Sequence, residues 1–164
     1  TAMPSHAASG PSNPESPTGR SFRPAAEPDL SALLMLLAVL DNDGEPALTL
    51  ARARRVFTRM GTYPDCTVWL AEEGSAVIGT YSLLVMDNLG HRGVPKGVVE
   101  NVAVAADHQG PGIGRTMMQH AMAQCRGRAC YKLVLSSNVV REDAHRFYET
   151  VGFVRHGYSF RVAL

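Results

Sequence analysis

Residues 102–116 read Val102-Ala103-Val104-Ala105-Ala106-Asp107-His108-Gln109-Gly110-Pro111-Gly112-Ile113-Gly114-Arg115-Thr116, an apolar strand that passes through a glycine-rich turn into a helix. The first N–H groups of such a helix have no intrahelical partner and carry the positive end of its dipole. A phosphate placed there satisfies several donors at once. Glycine at 110, 112 and 114 keeps side chains away from the anion, and Arg115 adds a full positive charge. Two better-known phosphate motifs fail on spacing. A dinucleotide fingerprint requires glycine at 115 or 117, where Arg115 and Met117 stand. A Walker loop requires glycine at 109 and lysine at 115, where Gln109 and Arg115 stand. A turn that merely joins strand to helix remains the plain alternative.

Outward from this stretch the periodicity alternates between strand and helix. Downstream, a helix over Ile113 to Arg126 turns Ile113, Met117 and Ala121 inward, with Met118, Met122 and Cys125 one row over. Tyr131 to Ser136 reads as a strand, and Ala144, Phe147, Tyr148 and Val151 mark a last helix. Phe153 onward returns to strand. Upstream, Val98 to Ala105 is a strand, and Val68 to Glu72 and Ala76 to Met86 form a hairpin across Glu73-Gly74-Ser75. A first helix begins at Pro28, with Leu30, Leu33, Leu34 and Leu37 at helical spacing. The acidic loop Asp41-Asn42-Asp43-Gly44-Glu45 ends it. Pro46 opens a second helix whose stripe is Ala53, Val56, Phe57 and Met60, closed by Gly61. With a strand beginning near Phe22, the order β-α-α-β-β-β-α-β-α-β predicts an α/β domain with a mixed sheet, because hairpins come first and helix-linked strands follow.

The 164 residues, 45% hydrophobic and 19% charged, suit one domain, here residues 22–164. Residues 1–21 hold Pro4, Pro11, Pro14 and Pro17 among five serines and form an arm with no face to bury. The arm lacks the apolar core of a secretory signal, and Thr1-Ala2 ahead of Met3 reads as a cloning remnant. A net charge of +1 gives no general attraction to nucleic acid or anionic lipid. The apolar run Leu30 to Leu40 is about half of what a bilayer requires. Cys66, Cys125 and Cys130 are odd in number and lack C-x-x-C spacing, which fits a reducing cytoplasm. His91, His108, His120, His145 and His156 show no ligand spacing, so no metal site is expected. Arg52, Arg55 and Arg59 share one helix face, which reads as solvated.

Gln109-x-x-Gly112-x-Gly114, preceded by Val99-Glu100-Asn101-Val102-Ala103-Val104, resembles the acetyl-coenzyme A signature of the GNAT superfamily of N-acetyltransferases. Ala144-His145-Arg146-Phe147-Tyr148-Glu149-Thr150-Val151-Gly152-Phe153 looks like that family's closing A-x-x-F-Y-x-x-x-G-F motif. The resemblance covers about residues 22–164. Many members carry asparagine three residues before that alanine, where this chain has Arg141, and Asn138 is the substitute for that cofactor contact.

The resemblance implies a centrally splayed sheet flanked by helices. Acetyl-coenzyme A, the cosubstrate, would lie between the parted fourth and fifth strands, its pantetheine paired with the backbone of Val102, Ala103 and Val104. Its pyrophosphate would sit on the N–H groups of Gln109, Gly110, Gly112, Ile113, Gly114 and Arg115. The reaction implied is direct transfer, in a ternary complex, to an amine of a small molecule or peptide. The resemblance also implies a homodimer, a second subunit covering the sheet edge left by the short last strand.

Two residues carry the implied chemistry. An ammonium with a pKa near 10.4 must lose a proton before it can attack, and Glu100 is the expected base, acting directly or through water. Strand alternation places it on the face of Val98, Val102 and Val104, a carboxylate where an apolar side chain is expected. A β-bulge that turns Glu100 to solvent, or an ion pair with an arginine, is its alternative. Tyr148 is the expected acid, since a phenol near pKa 10 is protonated at neutral pH and can serve a departing thiolate. A core aromatic beside Phe147 is the alternative there. The rival function is a non-catalytic acyl-coenzyme A sensor, against which retention of both Glu100 and Tyr148 speaks.

Overall fold

The computed structural model describes residues 19–38, 40, 48–110 and 112–163. The arm before residue 19, the acidic loop and Pro46 lie outside the described residues. Five strands form one sheet in the order β1-β2-β3-β4-β5. They are β1 (Arg20–Pro24), β2 (Cys66–Glu73), β3 (Ala76–Met86), β4 (Lys96–Val104) and β5 (Leu133–Leu135). The first four pair antiparallel, and β4 pairs β5 in parallel. The helices are α1 (Leu30–Leu37), α2 (Leu50–Met60), α3 (Ile113–Gly127) and α4 (Glu142–Thr150).

Two apolar layers hold the sheet. On one face Ile113, Met117, Met118, Ala121 and Cys125 of α3 meet Tyr81, Leu83, Val85 and Val99, and Phe147, Tyr148 and Val151 from α4 and its end join them. Gly97 and Gly79 bring the strands close to α3, because a Cβ on either would run into Cys125 Sγ or Met117 Sδ respectively. On the other face Leu30 and Leu33 of α1 pack with Leu70, covered by Phe57 of α2. The Arg23 guanidinium fixes where α1 starts. It donates to both oxygens of Asp29 at 2.7 and 2.9 Å and to Glu72 at 2.9 Å, joining β1, the start of α1 and β2. That partner holds the Asp29 carboxyl below the usual carboxylate range.

Most expected elements are present, with three corrections. The second helix starts at Leu50, capped by the Thr49 hydroxyl, which accepts from Arg52 N–H at 3.3 Å. A side-chain cap satisfies an otherwise orphaned amide, which proline four residues earlier cannot do. The predicted last strand is absent: residues 153–163 form no strand, and among the described residues no strand pairs with them. Third, the alternation across β4 is broken. Ser82 pairs with Glu100 and Thr80 with Ala103, so Asn101 and Val102 together stand opposite Tyr81, and Asn101 takes a φ of 55°. This bulge moves Val102 and Val104 to the α3 face with Val99, where they pack against the larger core. Glu100 therefore does not share a face with them.

Candidate active site

β5 lies beside β4 only from Gly97 to Val99, whose partners are Leu133 to Leu135, while β4 continues to Val104. Among the described residues the β4 backbone from Glu100 onward has no strand on that side. A cavity of about 180 Å³ occupies the parting. Val99, Glu100, Asn101 and Val102 line one wall, and Leu135, Ser136 and Ser137 the other. Leu40 beyond α1 and Arg141 and Tyr148 complete it. Because the strands part, Tyr148, which packs from the α3 side, reaches the same space as Glu100 on the opposite face.

Tyr148 is held by its ring, with centroids 5.2 Å from Phe147 and 5.7 Å from Phe153. Burial pushes its phenol above the ordinary value, Arg141 opposes that rise and Glu100 adds to it. Both charges thus act on the same hydroxyl. Glu100 itself is exposed. Ser137 has a buried hydroxyl with no hydrogen-bond partner at the cavity wall, the kind of group that a bound polar ligand would satisfy. Sequence reasoning overlooked Ser137. Its only signal is the abrupt Ser136-Ser137 pair directly after an apolar strand.

Other expected site residues lie outside the cavity lining. Gly112 takes a left-handed φ of 81° as the cap of α3, and Gly110 a φ of 103°, conformations that favour glycine. A Cβ on either would meet nothing within 4 Å, so the turn has open space around it. The first bond into the helix is Thr116 N–H to Gly112 carbonyl at 3.1 Å. The amides of Ile113, Gly114 and Arg115 precede it and point out of the helix end. Arg115 donates to the carbonyl of Thr150 at 3.2 Å, tying the start of α3 to the end of α4. Gln109 reaches the Val104 carbonyl at 3.5 Å. Ala103 is buried and pairs with Thr80. The Asn138 side chain accepts from Val140 N–H at 3.2 Å, shaping the turn into α4.

Residues 35–153 match the acetyltransferase (GNAT) family. The chain belongs to that family and is an acyltransferase. It is similar to glucosamine 6-phosphate N-acetyltransferase of Trypanosoma brucei brucei, 29% identical over 147 residues that span 87% of this chain and 95% of the relative. Aminoalkylphosphonate N-acetyltransferase of Salmonella typhimurium is 30% identical over 101 residues, 62% of this chain and 65% of the relative. Among solved structures, a putative acetyltransferase from Agrobacterium tumefaciens superposes with a TM-score of 0.82 at 35% identity, covering 88% of this chain and 99% of that one. Among the described residues no helix is long and apolar enough to cross a membrane.

Proposed function

We propose that residues 22–164 act as one domain that transfers an acetyl group from acetyl-coenzyme A to a primary amine of a small molecule or peptide, directly and in a ternary complex. The observation that carries this is the cavity between the parted strands, where Glu100, Tyr148 and the unpartnered Ser137 hydroxyl meet. The relatives named for glucosamine 6-phosphate and for aminoalkylphosphonate support a small amine acceptor. A homodimer in a reducing cytoplasm completes the proposal. Three free cysteines fit that compartment, with burial pushing the Cys125 thiol up to about 12.

The residues present suit acetyl-coenzyme A. The amides of Ile113, Gly114 and Arg115, with the open turn at Gly110 and Gly112, would take the diphosphate. The free β4 edge at Val102 and Val104 would take an extended pantetheine as an added strand. Asn138 and Gln109 would add side-chain contacts to the cosubstrate. When bound, the cosubstrate supplies an activated thioester carbonyl.

Each side chain then has one task. Glu100, exposed to water, accepts a proton from the ammonium directly or through a solvent molecule, since an amine of pKa about 10.4 is almost wholly charged at neutral pH. Backbone donors on the free edge of β4 face the region where negative charge develops. Tyr148 retains its phenolic proton at neutral pH and can donate it to a thiolate, whose parent thiol has a pKa of about 8.5. An amine panel assayed by release of free thiol tests the reading. Thiol release that depends on an amine is expected, together with thermal stabilisation by acetyl-coenzyme A and none by ATP or NAD. Stabilisation without thiol release from any amine would leave a sensor and end the enzyme reading.

A further inference from the structure

Two charged side chains line the cavity between the parted strands among the described residues, Glu100 from β4 and Arg141 at the start of α4. They do not pair with each other, and neither side chain has a hydrogen bond or an ion pair to any described residue. The acidic neighbours of Arg141 are taken: Glu142 lies 3.7 Å from Arg146, and Asp143 accepts from the same guanidinium. Both cavity charges nevertheless bear on one point. Arg141 opposes, and Glu100 adds to, the rise that burial gives the Tyr148 phenol. Opposite charges that face one cavity without closing on each other leave a gap between a cation and an anion. An amine with no other charge answers only half of it, because its ammonium is drawn to Glu100 and repelled by Arg141. A ligand that carries both signs answers the whole.

We propose that the acceptor is a zwitterionic amine, with its ammonium toward Glu100 and an oxyanion a few bonds away on Arg141. This rests on the transferase reading above and narrows its acceptor to one class. The guanidinium suits the task, since its planar fork offers a carboxylate or a phosphorus oxyanion two parallel N–H donors. The unpartnered Ser137 hydroxyl is a further donor on the same lining. At about 180 Å³ the cavity is smaller than the roughly 300–1,000 Å³ of a drug-sized pocket, so the two charges of the acceptor stand close together. The same charges favour product release. Once acetylated, the nitrogen is neutral, so the product keeps its partner at Arg141 and loses the one at Glu100.

Matched amines test this: β-alanine against β-alaninamide, and aminoethylphosphonate against its diethyl ester, each assayed with the full chain by release of free thiol. The anionic member of at least one pair should be favoured about tenfold or more in kcat/KM, and the pair that shows it identifies the oxyanion. Arg141→Gln should cut that preference about tenfold or more, through KM for the amine and with KM for acetyl-coenzyme A little changed. Comparing variants cancels the difference in amine basicity within a pair. Arg141→Lys keeps the charge without the fork and should restore part of the preference. Thiol release from no amine, these or the wider panel, overturns the transferase reading and the proposal with it. Release only from amines that carry no oxyanion, equal use of both members of each pair, or a preference that survives Arg141→Gln overturns the acceptor class alone. A rise confined to KM for acetyl-coenzyme A would make Arg141 a cosubstrate contact and overturn it as well.

Discussion

Gly114 and Phe147 touch across a missing side chain: a Cβ on Gly114 would stand 2.9 Å from Cζ of Phe147 and 3.2 Å from its Cε2. The glycine turn and the closing motif are therefore one packed unit. Their second tie is Arg115 on the Thr150 carbonyl. Gly114→Ala should destabilise the fold by about 1–3 kcal/mol through overpacking, offset only slightly by the better helix propensity of alanine at a first-turn position. Urea unfolding measures it. Phe147→Leu shortens the opposing ring, so the double variant should lose less than the sum of the two singles. Strict additivity would mean that Gly114 is glycine for another reason.

This contact also marks where the sequence was legible. The α3 stripe was readable because five of its residues recur at helical spacing and all are buried, and β3 because alternation and turn chemistry agree at both ends. Splaying was foreseen only through the family resemblance. A bulge beside Glu100 is legible only as an alternative to plain alternation: asparagine tolerates a positive φ better than most residues, but nothing local says which asparagine will use that freedom. Arg115 was assigned to an anion from its position beside the turn. Its bond to Thr150, 35 residues away, depends on how α3 and α4 pack. The strand expected after Phe153 is absent, because alternation specifies a face and not a partner.

Tyr148→Phe should lower kcat on the order of 10²-fold while acetyl-coenzyme A affinity changes little. Phenylalanine keeps the ring contacts with Phe147 and Phe153, so unfolding stability should stay close to that of the parent chain. Steady-state kinetics with saturating amine, beside a binding titration of the cosubstrate, separates the two effects. An unchanged kcat removes Tyr148 as the acid.

Stability should fall in mild acid because of His120. This imidazole sits between Phe22, stacked at 4.3 Å, and the edge of Trp69 at 4.7 Å, and its Nδ1 is 2.6 Å from the Tyr81 hydroxyl. Burial pushes its pKa down to about 4 from an ordinary 6.5. The folded chain keeps it neutral while the unfolded chain takes up a proton, so its contribution is whole above pH 6.5 and is lost as pH falls from 6.5 to about 4. Discounted for partial exposure, the loss is on the order of 2 kcal/mol. His120→Gln retains a polar partner for Tyr81 and should flatten the slope of unfolding free energy between pH 6.5 and 4.5. An equal slope in parent and variant would assign the acid sensitivity elsewhere.

Glu100→Gln should separate proton removal from substrate binding. The side chain is exposed and its strand pairs with Ser82 through the backbone, so the substitution leaves the fold intact. Without a base, the enzyme can use only amine that has already lost its proton, about one part in 2,500 at pH 7 for a pKa of 10.4. That fraction grows about tenfold for each pH unit. The variant should therefore be slower on the order of 10²-fold at pH 7, and its kcat/KM for the amine should climb almost tenfold per unit toward pH 9. The parent enzyme, which removes the proton itself, should climb less steeply, and the gap between the two should narrow as pH rises. A deficit of constant size across that range would show Glu100 to hold the acceptor without taking its proton, and no deficit at all would place the base elsewhere along the cavity.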